Sequence, residues 1–330
     1  MPSSGLLVRR LFQAALLLAP LLLQPALAQD WPQPGKSLRI LNPFPPGGTS
    51  DTLSRIMAAK LTAQLGIPVV VENKPGGSTV VAVQELRRSP PDGYTVLYTV
   101  TGTTSQLPHL YAKPPFDPFT DFTPLGVIAY NQLILTVPAS APFNTVAEMI
   151  AYARANPGKL NYGSFGTGSF PHIATEQLKK AANVFITHIP YKGGGDAARA
   201  VMAGEVDLLF DAPVTAIANS RGGRVKLLAV AGPNRIASIP QVPTMTEAGI
   251  KGMDIQGLEQ LLGPRGMPKA LADKVNAEFM KAARSPEAAQ LYATGGFDMI
   301  ASTPEEHLRI MRENSDRWGE VIRRTGIKLD

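Results

Sequence analysis

The 330-residue chain contains 0 cysteines, which excludes disulfides, thiolate nucleophiles, an acylated lipoprotein cysteine and cysteine-ligated zinc. Its 4 histidines, His109, His172, His188 and His307, show no metal-ligand spacing, so no metal is expected. No cofactor is expected either, because the chain lacks a G-x-x-x-x-G-K-[ST] phosphate loop and a G-x-G-x-x-G dinucleotide string. Charged residues make up only 18%, and the basic excess, 32 against 26, is scattered rather than clustered with aromatics. That distribution argues against nucleic acid and suits mild attraction of anionic solutes. The 30 Pro and 30 Gly fall as turn punctuation, not as a low-complexity tract.

What is present begins with an export signature. Arg9 and Arg10 form a positive n-region, residues 11–23 are apolar but interrupted by Gln13 and Pro20, and Ala26-Leu27-Ala28 is an A-x-A cleavage string. Residues 1–28 are therefore expected to be a signal peptide cleaved after Ala28, which delivers a soluble periplasmic protein. Loss of Arg9 and Arg10 with no acid takes the formal charge from +6 to +4.

The remaining length exceeds what one compact core usually holds. Strand-like runs at 37–41, 69–72, 94–100, 133–137, 160–162, 184–189, 206–210 and 225–231 alternate with helical patterns, which predicts α/β sheets of mainly parallel strands. Residues 114–124 read as a wrapped loop leading into a new sheet. Helices are predicted over 268–283 and 303–327, the latter capped by Ser302 or Thr303 and striped with Leu308, Met311, Trp318 and Ile322. An economical arrangement places 29–129 in domain 1, 130–252 in domain 2, and 253–330 back on domain 1. Two crossing segments then form a hinge over a cleft, and ligands of open α/β sheets bind at strand carboxyl ends.

Several strand-end loops bear on chemistry. The stretch from Asn42 through Gly47-Gly48-Thr49-Ser50-Asp51 joins a strand to an amphipathic helix starting near Thr49. Thr49 or Ser50 can cap that helix, Asp51 suits its positive end, and the glycines let a ligand approach bare amides. It reads equally as an anion site or as an ordinary capped helix. A second loop, Tyr162 to His172, repeats the pattern with amides at Gly166 and Gly168 and a cap at Ser169. Loops at Lys74 to Thr79, Thr101 to Ser105 and Tyr191 to Asp196 add hydroxyls and amides with few charges. Three or four charge-assisted hydrogen bonds of about 1.5–3 kcal/mol each suffice for a carboxylate without an arginine clamp. A secreted α/β hydrolase using a Ser169/His172 pair is the rival, although there is no G-x-S-x-G elbow. Asp207 and Asp211 flank one strand, and Asp211 is given a turn or cleft-lining role.

The blocks Pro43 to Asp51 with Arg55, Pro68 to Asn73 with Pro75-Gly76, Pro91-Asp-Gly-Tyr94, Pro157 to Tyr162 and Pro190-Tyr-Lys-Gly-Gly194 keep one order and spacing. So do Leu227 to Val230, Pro240 to Thr244, Glu247-Ala-Gly249 and Gly263-Pro264 before Pro268. Together they resemble the Bug (TctC-like) extracytoplasmic solute receptors of tripartite tricarboxylate transporters. The resemblance implies a type II periplasmic-binding-protein fold, two α/β domains joined by a two-strand hinge around a cleft. It implies a non-enzymatic receptor, expected to be monomeric, that passes a small organic acid to a membrane permease of one large and one small subunit. It places ligand contacts at Phe44, Gly48, Thr49 and Asp51, at Gly168, Ser169 and His172, and at Tyr191 and Asp211, with Asp51 able to order its loop instead. Two departures bear on substrate: Ser78 and Thr79 replace part of a glycine-rich turn, and Glu259 lies where an aromatic pair usually precedes Gly-Leu-Leu. Glu259 is expected to face the cleft and select a ligand group that donates hydrogen bonds or carries positive charge, such as an amide, amine or hydroxyl.

Overall fold

Strands such as Thr95-Val-Leu-Tyr-Thr-Val100 are apolar on both faces, which suits a sheet covered by helices on each side. The computed structural model describes residues 31–329, so the expected cleavage after Ala28 lies outside the described residues. The chain first lays down β1 (Leu38–Asn42), β2 (Val69–Asn73), β3 (Thr95–Val100) and β4 (Phe122–Asn131). It crosses at Gln132 to build β5 (Leu133–Pro138), β6 (Asn161–Ser164), β7 (Thr187–Pro190), β8 (Leu208–Asp211) and β9 (Val225–Ala231). It then returns as β10 (Gly257–Pro264) and β11 (Asp298–Met299). The sheets have the orders β11-β4-β10-β3-β1-β2 and β7-β6-β8-β5-β9, so the two α/β units are joined by two crossings, as expected.

Parallel pairing holds where βα units repeat, β1 with β2 and β3, and β6 with β7 and β8. The strands that start at the crossing, β5, β10 and β11, run antiparallel to their neighbours because they leave the end at which the others arrive. The sheets are therefore more mixed than the alternation predicts. The 114–124 loop is present, but it leads into β4 of the first sheet rather than into a new one. A proline-rich loop marks a change of direction, and the apolar run after it pairs with the returning β10.

The helices are α1 (Thr49–Leu65), α2 (Val80–Arg88), α3 (Leu107–Leu110), α4 (Val146–Ala155), α5 (Phe170–Ala182), α6 (Gly194–Ala203), α7 (Pro213–Arg221), α8 (Lys269–Ala283), α9 (Pro286–Thr294) and α10 (Pro304–Thr325). Helix α10 starts with a capping box: Thr303 Oγ1 accepts from the Glu306 amide and Glu306 Oε2 accepts from the Thr303 amide. It was expected on domain 1 alone. Instead Met311 enters a core cluster with β1, β3 and β10 residues, whereas Trp318 and Ile322 enter the core of the second sheet. Trp318 meets Phe170 of α5 edge to face, ring centroids 5.2 Å apart. An amphipathic stripe shows that a helix has a buried side, not which sheet it buries against.

Candidate functional site

Eight strands, β1 to β4 and β6 to β9, end toward the crossing, so their following loops gather there. The best-held of these is the loop after β1. Gly48 is the N-cap of α1, in extended backbone (φ −82°, ψ 174°) and with no side-chain cap, so neither Thr49 nor Ser50 caps the helix. Asp51 makes up for this. Its Oδ2 accepts from the Gly47 amide (2.9 Å) and Arg55 Nε (3.0 Å), and its Oδ1 accepts from Asn73 Nδ2 (2.9 Å). Asn73 Nδ2 also donates to the Phe44 carbonyl, and the Phe44 amide donates to Asn42 Oδ1. Burial opposes the charge on Asp51, but these donors outweigh it and hold the carboxyl below its ordinary range. Asp51 thus orders the loop, leaving the first-turn amides without intrahelical acceptors.

The loop before α5 is built differently from expectation. The Gly168 amide is not bare: it donates to His172 Nδ1 (2.9 Å), and the Ser169 amide donates to the Gly166 carbonyl (3.1 Å). Ser169 occupies the N-cap position, yet its hydroxyl makes no cap bond and is buried without a partner. Because Nδ1 of His172 accepts, its proton is on Nε2. Burial lowers the pKa of His172, which lies flat on His188 with ring centroids 4.0 Å apart, and burial takes His188 down to about 4. The Ser169/His172 pair of the hydrolase alternative makes no hydrogen bond.

The remaining expected residues divide. Tyr191 is half-buried against a Val206 and Leu209 cluster. Its loop bridges the other two: a Cβ built on Gly166 would lie 3.4 Å from the Tyr191 carbonyl, and one on Gly193 would lie 3.6 Å from the Pro45 ring. Asp211 ends β8, buried, its Oδ1 accepting from the Ala212 amide (2.8 Å); burial pushes it up to about 7. Asp207, at the other end of the strand, is spent on the Asn161 amide (2.8 Å), so the two aspartates are not a pair. Ser78 is exposed in a Gly77–Thr79 turn, and the Thr79 hydroxyl is turned to Thr103 (3.2 Å). No hydrogen bond among the described residues ties either of them to the α1 or α5 loop. Glu259 is 2% exposed, and its Oε1 accepts from Asn131 Nδ2 (2.7 Å).

Sequence reasoning missed Thr215, whose hydroxyl lies 3.4 Å from that of Thr49 and brings the α7 N-terminus against that of α1. Proline at the first position of α7, directly after a strand, was the available signal. It also missed Gln106, buried in a π-helical turn with neither amide atom partnered, and Asn131 and Gln132, polar residues interrupting an apolar run at the crossing. A surface hollow bounded by Asn144, Thr145 and Lys226 lies at the far end of the second sheet, away from this junction.

Known proteins agree with this architecture. A Cupriavidus necator protein described as the UPF0065 protein in the gbd 5' region is 33% identical over 303 residues, 92% of this chain and 91% of that protein. The solved structure of R. palustris Rpa4515 with adipate is 31% identical, with TM-score 0.86 over 91% of this chain and 99% of that one. MatC (Rpa3494) from Rhodopseudomonas palustris with bound malate is 28% identical, with TM-score 0.83 over 88% of this chain and 100% of that one. The model of the tripartite tricarboxylate transporter family receptor matches residues 53–327. With that match spanning both sheets and the junction between them, the chain belongs to the tripartite tricarboxylate transporter receptor family.

Proposed function

We propose that the chain is a non-catalytic periplasmic receptor that closes on a small carboxylate at the junction and delivers it to a membrane permease of one large and one small subunit. It acts as a monomer, with β1 to β4, β10 and β11 in one lobe, β5 to β9 in the other, and α10 packed on both. The observation that carries this reading is the meeting of helix N-termini: α1 touches α7 through Thr49 and Thr215, and the α6 loop lies between the α1 and α5 loops. Helix N-termini favour anions through unpaired amides and the dipole. The amides of Gly48 and Thr49 hold the carboxylate from one side, and Ser169 and the Nε2 hydrogen of His172 hold it from the other. Asp51 keeps the α1 loop in shape, and Phe44 and Tyr191 wall the site. Ser78 and Thr79 take no direct part. The malate and adipate complexes of the relatives support a carboxylate as the ligand class.

A thermal-shift screen with mono- and dicarboxylates tests this. Saturable stabilisation of about 2.7 kcal/mol at a hundred times Kd is expected. Ester hydrolysis that disappears in Ser169→Ala would replace the receptor reading with the hydrolase one.

A further inference from the structure

A buried carboxyl stands beside a site read as binding a carboxylate. Glu259 lies on β10 two residues after the chain returns from the second sheet, opposite Val100 and Ala129. One oxygen accepts from Asn131, the last residue of β4 before the crossing; the other, Oε2, is buried with no partner. The crossing is tight, since a Cβ on Gly257 would come within 2.1 Å of Asn131 Oδ1 and 2.7 Å of the Phe170 ring at the start of α5. Contacts then run from Glu259 to the second lobe. Tyr98 neighbours Glu259 and its hydroxyl lies 3.3 Å from that of Tyr292. Gly295 and Gly296, which follow Tyr292, abut Val214 and Pro213 in the first turn of α7. Asp211 is two residues before that turn and is equally buried.

Neither Glu259 nor Asp211 forms an ion pair among the described residues, and Arg55 is committed to Asp51. An ionised carboxylate so buried costs several kcal/mol unless a cation or donors compensate it. Asn131 matches Oε1 and the Tyr98 hydroxyl meets that of Tyr292, which leaves Oε2 unmatched.

We propose that Glu259 forms a subsite for a protonated amine, so that the ligand is an amino-bearing carboxylic acid. This rests on the receptor reading: the ligand's carboxylate takes the helix amides, and its ammonium takes Oε2 of Glu259. A second carboxylate would instead meet a buried carboxyl, and an apolar tail would leave Oε2 unmatched.

The proposal has a proton signature. Burial pushes Glu259 up to about 8, so near neutral pH it holds a proton that it must give up to solvent when an ammonium arrives. The titratable groups facing it are Tyr98 on β3 and Tyr292 on α9, both kept protonated by burial. His307 meets the neighbouring Gln260, whose side chain leaves the other face of the strand.

Titration calorimetry on the mature protein, with 4-aminobutanoate, 5-aminopentanoate and 6-aminohexanoate against pentanoate, glutarate, adipate and malate, tests the idea. Each is run at pH 6.5 and 8.5 in two buffers of different ionisation enthalpy. An amino acid of the best length is expected to bind at least about ten-fold tighter than acids of equal length, the value of one charge-assisted bond. It should release protons at pH 6.5 but few at pH 8.5. Glu259→Gln should remove that release and about ten-fold of the amine preference, while acids without an amine stay within about three-fold. Tighter glutarate or adipate binding with proton uptake would overturn the proposal, making Glu259 a neutral donor to a diacid. An unchanged affinity order in Glu259→Gln would overturn it as well. Binding by none of the acids would instead sink the receptor reading itself. Should Glu259→Gln not fold, the wild-type proton count and affinity order decide alone.

Discussion

Single atoms at the junction separate binding from folding. Thr49 is the first residue of α1 after an extended Gly48, a position where proline fits the helix and removes only an amide already lacking an intrahelical acceptor. Thr49→Pro should therefore fold with near wild-type stability and bind carboxylates roughly 10-fold or more weakly, a charge-assisted bond being about 1.5–3 kcal/mol. Thr49→Ala, which keeps the amide, should lose far less in the same calorimetric titration. Titration of buried groups gives a second residue-level expectation. Glu259 and Asp211 have folded pKa values raised by burial, from 4.5 to about 8 and from 3.8 to about 7, so the folded state holds their protons longer. Their stabilisation is full at low pH and is lost as pH rises through that range. His188 and His307 are lowered by burial, from 6.5 to about 4 and about 3, so their contribution is present above 6.5 and is lost as pH falls. Urea unfolding should show stability falling from pH 6.5 to 8 and again below pH 4. Glu259→Gln should flatten the alkaline limb and leave the acid limb in place. Of this chemistry the sequence revealed residue types more readily than their partners. Asp51 was legible as a first-turn acid, but its bond to Asn73 joins positions 22 apart and depends on β1 and β2 pairing. The Gly168 amide looked bare because nothing local says that the imidazole four residues on will turn back to it.

At the scale of elements, most strands were read closely because apolar runs bounded by Gly and Pro leave little choice, but β4, 10 residues long, and the two-residue β11 were not among them. The helix starts were harder, since capping depends on what the loop meets in space. Helix α9 was missed altogether: it is only 9 residues long and most of its apolar residues are alanines, so its period is faint. Helix α10 illustrates the reverse case, with its stripe and capping box visible in the sequence and its partners not. Trp318 is fully buried against Phe170, and removing it opens a cavity in the second sheet's core although the helix starts on the first. Trp318→Ala should cost about 3–5 kcal/mol in urea unfolding. Thr303→Ala, which deletes the cap at the other end, should cost about 1 kcal/mol.

Across the whole molecule, two lobes, two crossings and a junction lined by strand ends were all legible from the alternation of strands and helices. The direction of the crossing strands was not, because pairing sense is set by which end the chain enters. Lobe contacts in the structure are close, Thr49 with Thr215 and Pro45 with Gly193. Gly193→Val would drive a branched side chain into Pro45 and hold the lobes apart. Ligand affinity should fall about ten-fold or more while urea stability without ligand changes by less than about 1 kcal/mol, since neither core contains Gly193.

Helix α10 also governs the order in which the chain can acquire structure. Its residues enter a core cluster on each sheet, so neither of those clusters is complete while the last stretch of polypeptide is still being made. A nascent chain in that condition stays unlocked until synthesis is nearly over, the state in which a polypeptide can be threaded through a narrow secretory pore before it folds on the far side.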